Sequence, residues 1–199
     1  MLLHPRRDPR GGLGAARKLP EGAYPGTCRS LSRAEADSRI RAGQRFALRV
    51  RSDGERVSFE DALQGPRTGA ADDFVIVRSD GVHAYQLAVV VDDADQGIGE
   101  VVRGADLASS TPRQILLQRL LGLPTPRYAH VPLVLDSHGR RLAKRDAAER
   151  PTPGGNLMAW LASSLGLERE AVRDAHDLVN DFDPALIPRV PVLFDASGG

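Results

Sequence analysis

The spacing of hydrophobic and polar positions divides the chain into short elements. Over residues 1–29, Gly, Pro and Arg dominate and no period is sustained, which predicts loop. Ser32, followed three residues on by Glu35, is a capping box, and Gly43 is a stop, so the pattern predicts a short helix over 33–42. Residues 45–51 alternate polar and apolar before Ser52-Asp53-Gly54 turns the chain into 56–59, predicting a hairpin with one wet, basic face. Phe74-Val75-Ile76-Val77 ahead of Ser79-Asp80-Gly81 predicts a buried strand and a tight turn. The apolar run 87–91 lacks alternation and suits a buried strand or a buried helix.

Residues 100–103 predict a further strand. Thr111-Pro112-Arg113-Gln114 then opens a helix, with Thr111 as N-cap, Pro112 at the first position and Gln114 closing the box. Ile115, Leu116, Leu120 and Leu121 are predicted to bury one face of it, and Gly122 to end it. Residues 131–135 with Ser137-His138-Gly139 predict a strand and turn, followed by a basic loop at 140–145. Strands and helices alternate through 72–150, which favours an α/β layer. Beyond the Pro/Gly breaker at 151–155, Leu157, Met158, Trp160, Leu161 and Leu165 mark one face of a helix, and 168–179 predicts a second. The stretch 181–199 carries no recognisable site, and there is no internal repeat.

Composition adds little beyond exclusions. A chain of 199 residues with 41% hydrophobic and 27% charged residues can bury a sizeable core in one or two domains. Its net charge of +1 supplies no global positive field, so any nucleic-acid contact must come from local clusters. The single cysteine, Cys28, excludes an internal disulfide and suits a reducing compartment. No apolar run approaches the ~18 residues of a membrane span, and the first twenty residues are arginine-rich with no signal-type apolar core. A soluble, cytoplasmic protein without a membrane partner is expected.

The strongest local signal is the loop 140–145, where Arg140, Arg141, Lys144 and Arg145 place four cationic groups in six residues. Guanidinium forks and an ammonium point charge match phosphate oxygens, although a solvated charge run has the same composition. Arg103, at a strand end, could hold a carboxylate bidentately, with Tyr85 on the other side of the central unit; a surface Arg and a structural Tyr are the plain alternatives. Asp92-Asp93 could ligate Mg²⁺, act as an acid/base pair, or simply end a helix or turn as solvated acids. Tyr24 and Cys28 stand four residues apart around a turn, but closed zinc sites need four ligands and this chain has one thiol. His83, His130, His138 and His176 show neither metal spacing nor a nucleophile partner and read as packing or surface residues. There is no P-loop, GxGxxG or GxSxG.

Several blocks read in order go further. Tyr24-Pro25-Gly26-Thr27-Cys28-Arg29, the stretches 73–81 and 84–93, Gln96-Gly97, Arg103-Gly104-Ala105-Asp106-Leu107, Thr111-Pro112-Arg113-Gln114 and His130-Val131-Pro132-Leu133 resemble the glutamyl-Q tRNA(Asp) synthetase family over about residues 20–190. The resemblance implies the C-terminal half of a class I synthetase Rossmann-like catalytic domain, with an α+β insertion and a short helical tail. It divides the chain into a zinc-segment remnant, partly disordered (1–29), an acceptor-stem-type subdomain (30–71), the second catalytic half (72–150) and a helical C-terminal segment (151–199). Residues 84–93 should then be mostly helical.

The same resemblance implies roles. Arg141-Leu142-Ala143-Lys144-Arg145 aligns with the KMSKS loop, making Lys144 the catalytic ammonium and Arg141, Lys144 and Arg145 the ATP contacts. Tyr85 and Arg103 align with glutamate-contacting positions, and Tyr24 and Cys28 with the last two ligands of a structural zinc site whose upstream Cys-x-Cys pair is missing here. His4 and Leu2 stand near the missing pair. The implied activity is ATP-dependent (Mg) activation of glutamate and its transfer to the queuosine of tRNA(Asp) by a monomeric ligase. No HIGH-type motif is present, so the chain reads as N-terminally truncated and is expected not to form glutamyl-adenylate at a useful rate alone. A non-catalytic tRNA-binding remnant, or a fragment of an ordinary glutamyl-tRNA synthetase, are the competing expectations.

Overall fold

A computed structural model describes residues 2–5, 24–136, 138–142, 155–167 and 174–194. The chain forms two compact units, Met1–Phe59 with Thr68–Gly99 and Ser109–Pro126, and Glu60–Arg67 with Glu100–Ala108 and Arg127–Gly199.

In the first unit a three-stranded antiparallel sheet runs in the order β1 (Leu2–Pro5), β2 (Phe46–Val50), β5 (Phe74–Val77). The strand at Leu2–Pro5 corrects the loop expected for 1–29: its ladder partners, from His4↔Ala47 to Leu2↔Arg49, come from far along the chain, where local pattern cannot show them. Helix α1 (Arg33–Arg41) forms as expected, with the Ser32 hydroxyl and the Glu35 carboxylate closing the capping box from both sides.

The predicted hairpin does not form. The turn at Ser52-Asp53-Gly54 is there, with Asp53 and Gly54 at φ 54 and 74° and the Glu55 amide donating to Ser52 O at 3.0 Å. The next strand, β3 (Arg56–Asp61), leaves β2 and joins a second sheet, ordered β4 (Gly65–Ala70), β3, β7 (Arg127–Val131), β6 (Glu100–Gly104). Its close partner is instead β4 (Gly65–Ala70). The physical reason lies in β2, whose two edges are already taken by β1 and β5.

The ambiguous run at 87–91 belongs to helix α2 (Tyr85–Asp95), which packs on β5 and on α3 (Thr111–Leu121). Gly122 ends α3 in the left-handed conformation at φ 68°, as its position predicts. Two details differ. A 3-10 helix, Ala105–Ser110, runs directly into α3, so Ser110 is already helical and no side-chain cap forms; Thr111 and Gln114 are buried instead. Leu120 and Leu121 are 61% and 49% exposed, and the buried face is made by Ile115, Leu116 and Leu117 with Gln118. Val57, Ala71, Phe74 and Val90 of the same unit are buried as well.

In the second unit, β6 (Glu100–Gly104) and β7 (Arg127–Val131) run parallel, and the end of β3 meets β7 in parallel at Asp61↔Tyr128. The strand expected at 131–135 is two strands: Pro132, which has no N–H to give a ladder, separates β7 from β8 (Val134–Leu135). β8 pairs with β9 (Val192–Leu193). Helix α4 (Gly155–Ser164) buries Ala162 against Leu167 and Leu178, with Met158 and Leu165 beside them. Of the helix expected over 168–179, the described part is α5 (His176–Val179); 168–173 lie outside the described residues. No helix of the described residues is long and apolar enough to cross a membrane.

Candidate active site at the ends of parallel strands

Strands β3, β7 and β6 lie side by side and point the same way, so their carboxyl ends share one edge of the sheet. Open α/β sheets bind ligands outside that edge. Asp61 is the last residue of β3; His130 and Arg103 are each next to last in β7 and β6, paired with one another in the ladder.

Asp61 is 1% exposed and fully occupied. Its Oδ1 accepts the backbone N–H groups of Leu63 (3.1 Å), Gln64 (2.9 Å) and His130 (3.1 Å), and its Oδ2 is bonded to His130 Nδ1. Burial pushes its carboxyl up, but the bond from the His130 ring and those from the three amides outweigh it and hold the group below the usual carboxylate range. The first two amides belong to the turn that sends β3 back into β4, so the chain reversal itself builds the cradle.

His130 is fully buried, and its ring lies 6.1 Å from the Tyr128 ring at 12°. The Arg103 Nε–H donates to His130 Nε2 at 3.0 Å. A guanidinium has no acceptor, so Nε2 must be the bare nitrogen and Nδ1 carries the proton that Asp61 accepts. Arg103 also lies over Tyr128, its Cζ 5.2 Å from the ring centroid. The carboxylate, the imidazole and the guanidinium form one line across three strands.

Neither Asp61 nor His130 stood out as a site residue in the sequence. His130, read as packing or surface, is buried in a polar line with a partner 69 positions away, a separation that no spacing rule reaches. The one available hint was a histidine inside the apolar strand at 127–131.

Of the basic loop, Arg140 and Arg141 are described. Asp136, buried, accepts the amides of His138 (2.9 Å) and Arg140 (2.7 Å) and the Arg140 Nε–H (2.7 Å). Burial pushes this carboxyl up too, and the Arg140 bonds pull it below the usual range. Arg141 is 62% exposed and pairs with Asp106, three residues after Arg103. An exposed pair of this kind is worth ~0–1 kcal/mol, so a phosphate could displace it. Lys144 and Arg145 lie outside the described residues.

Tyr85 opens α2 and is 52% exposed. It belongs to the first unit and Arg103 to the second. Asp92 and Asp93 sit near the C-terminal end of α2, and no cluster of three His, Cys, Asp or Glu suited to a metal occurs among the described residues.

Tyr24 and Cys28 do come together. The Tyr24 hydroxyl accepts the Cys28 amide at 2.6 Å, Cys28 is 1% exposed, and burial pushes the phenol up. The Arg49 guanidinium lies over the Tyr24 ring with its Cζ 4.4 Å from the centroid. Arg49 therefore departs from the wet face expected of 45–51: it is half-buried and donates to Asp73 O at 3.2 Å. Two donors with a cation beside them are a poor zinc cage, and the described residues do not fit one.

Comparison with known proteins fits this geometry. The chain is 51% identical over 188 residues to the glutamyl-Q tRNA(Asp) synthetase of Nocardia farcinica, covering 90% of this chain and 59% of the relative. It is 43% identical over 212 residues to the protein of the same name from Symbiobacterium thermophilum, covering 98% and 65%. It thus spans less than two thirds of either relative. Among solved structures, a glutamate-tRNA synthetase from Elizabethkingia anophelis superposes with a TM-score of 0.67 at 22% identity, over 84% of this chain and 40% of that one. A glutamate tRNA ligase from Elizabethkingia meningosepticum, in complex with its amino acid, gives 0.54 at 27% identity over 63% and 26%. Residues 9–151 match the catalytic domain of the class I tRNA synthetases (E and Q), and the chain belongs to that family.

Proposed function

We propose that this chain is the larger part of a ligase that activates glutamate with ATP and Mg²⁺ and transfers it to the queuosine of tRNA(Asp). The observation that carries the reading is Arg103, held at the carboxyl end of a parallel sheet by a buried acceptor, where an α/β fold binds its ligand. Its guanidinium binds a carboxylate of glutamate, with the Tyr85 phenol as a second contact. In the first step an oxygen of the other carboxylate attacks the α-phosphorus of ATP, giving glutamyl-adenylate and pyrophosphate. Lys144, with Arg141 and Arg145 in a KMSKS-like loop, balances charge on the departing pyrophosphate, worth ~3 kcal/mol by comparison with other preorganised donors. In the second step a tRNA hydroxyl takes the glutamyl group and AMP leaves.

The division into an acceptor-stem-type subdomain (30–71), a catalytic half (72–150) and a helical segment (151–199) belongs to the same proposal, as does action in the cytoplasm as a monomer. The exposed Arg45, Arg51 and Arg56 offer phosphate contacts to tRNA. Zinc enters no step, since Tyr24 and Cys28 are the only aligned ligands described.

The test is glutamate-dependent ATP–pyrophosphate exchange, with transfer of labelled glutamate to tRNA(Asp) with and without queuosine. Both are measured in the 199-residue chain and in the chain supplied with a HIGH-type half. Exchange and queuosine-dependent transfer are expected only from the two halves together. Equal labelling of tRNA(Glu) would sink the queuosine assignment, and salt-sensitive tRNA binding with no adenylate in either form would leave a tRNA-binding remnant.

A further inference from the structure

We propose that Asp61 and His130 are positioning residues, a relay across three parallel strands that fixes the direction in which Arg103 meets its carboxylate. The inference rests on the reading of Arg103 as a glutamate contact. An arginine on an edge strand samples many rotamers, and freezing it on a ligand costs side-chain entropy. Here the Nε–H is already committed to His130 Nε2 at 3.0 Å, and the aromatic face of Tyr128 lies beneath the guanidinium. That acceptor exists only in one tautomer of His130. The tautomer is set by Asp61, whose other oxygen is locked by three backbone amides and cannot turn away. Gln64 closes the frame by donating its side-chain N–H to His130 O at 3.0 Å.

The chemistry gives a sharp consequence. In Asp61→Asn the amide oxygen can still take the three backbone N–H groups, leaving the amide NH₂ facing His130 Nδ1. The ring must then move its proton to Nε2, where it confronts the Arg103 Nε–H donor to donor. Nothing that touches the substrate has been changed, yet Arg103 is released.

The experiment uses the full chain. Two-bond ¹⁵N imidazole spectra report the His130 tautomer, the Arg103 Nε–H signal reports its hydrogen bond, and titration with L-glutamate reports affinity. The wild type is expected to show the Nδ1–H tautomer and a slowly exchanging Arg103 Nε–H. D61N is expected to show the Nε2–H tautomer, a fast-exchanging Arg103 Nε–H and at least a tenfold weaker glutamate affinity. Asp61→Glu, which restores a carboxylate, should recover the wild-type ring. An Nε2–H or doubly protonated ring in the wild type overturns the relay, and this measurement decides even where a variant fails to fold. So does D61N with an unchanged Arg103 signal or unchanged affinity. A wild-type chain showing the coupled ring and guanidinium but no response to glutamate would instead overturn the substrate reading and leave the relay standing.

Discussion

Replacing Asp61 by alanine tests how much of the second unit hangs on one carboxylate. Four N–H donors lose their acceptor: the amides of Leu63, Gln64 and His130, and His130 Nδ1. The bonds from Leu63 and Gln64 are only partly buried, so water can replace the oxygen there at small cost. The two on His130 are buried, and each buried donor left without an acceptor costs ~1–3 kcal/mol, for a total of roughly 4 kcal/mol near neutral pH. The cost must also depend on pH. Asp61 titrates below its ordinary range when folded, so its contribution is complete above the unfolded value of ~3.9 and is lost as pH falls through the lower folded value. The alanine chain has nothing to lose there, so the gap between the two chains should narrow in acid. Trp160, the only tryptophan, donates to Leu193 O in the same unit and reports its unfolding. Urea transitions followed by its fluorescence should differ by roughly 4 kcal/mol near pH 7 and by up to ~1 kcal/mol less near pH 3. A gap below ~1 kcal/mol, or one that does not change with pH, would refute the account of Asp61 as an ionised, fully used acceptor.

Four further outcomes follow from particular contacts. Gly166 and Gly139 share a left-handed φ of 77 and 73°, but a Cβ on Gly166 would overlap Leu186 O whereas Gly139 faces open space. Gly139→Ala should therefore cost ~1 kcal/mol and Gly166→Ala at least ~3 in the same urea assay, the difference being the backbone clash. Gly69→Ala would bring a methyl to 2.6 Å from Pro112 Cγ, a ring that cannot rotate aside, and should cost ~1–3 kcal/mol as seen in thermal melts. Ser32→Ala should speed hydrogen exchange of the Glu35 and Ala36 amides while leaving β5 unchanged, since only the α1 cap is lost, worth ~1 kcal/mol. Arg103→Lys should leave stability within ~0.5 kcal/mol yet weaken L-glutamate binding at least tenfold by calorimetry, because an ammonium cannot bond His130 and fork a carboxylate at once.

Local chemistry was legible in the sequence wherever it acted within a few residues. The Ser32/Glu35 box, the Gly122 stop and the turn at Gly81 all depend on neighbours in the chain, and all form. What failed was pairing between distant strands. The turn at Ser52-Asp53-Gly54 is a good turn, but whether it joins paired strands depends on who else competes for β2, and β1 and β5 win. Likewise 84–93 was helical on resemblance alone, since a run such as 87–91 buries equally well in either backbone.

The site divides along the same line. Arg103 was visible as a cation at a strand end, because an isolated charge beside apolar residues is a local anomaly. Asp61 and His130 were not, since each in isolation is an ordinary residue of a strand: one ends β3 at a turn, the other sits inside β7. Their meaning arises only when β3, β7 and β6 are laid in parallel, which places a buried carboxylate, a buried ring and a guanidinium at one sheet edge. A buried carboxylate is costly unless its charge is answered, and here it is answered by hydrogen bonds and, one ring away, by Arg103. The sheet thus tolerates Asp61 for the same reason that it can hold Arg103 still: the negative end is enclosed, and the positive end lies at the edge where an α/β sheet meets its ligand.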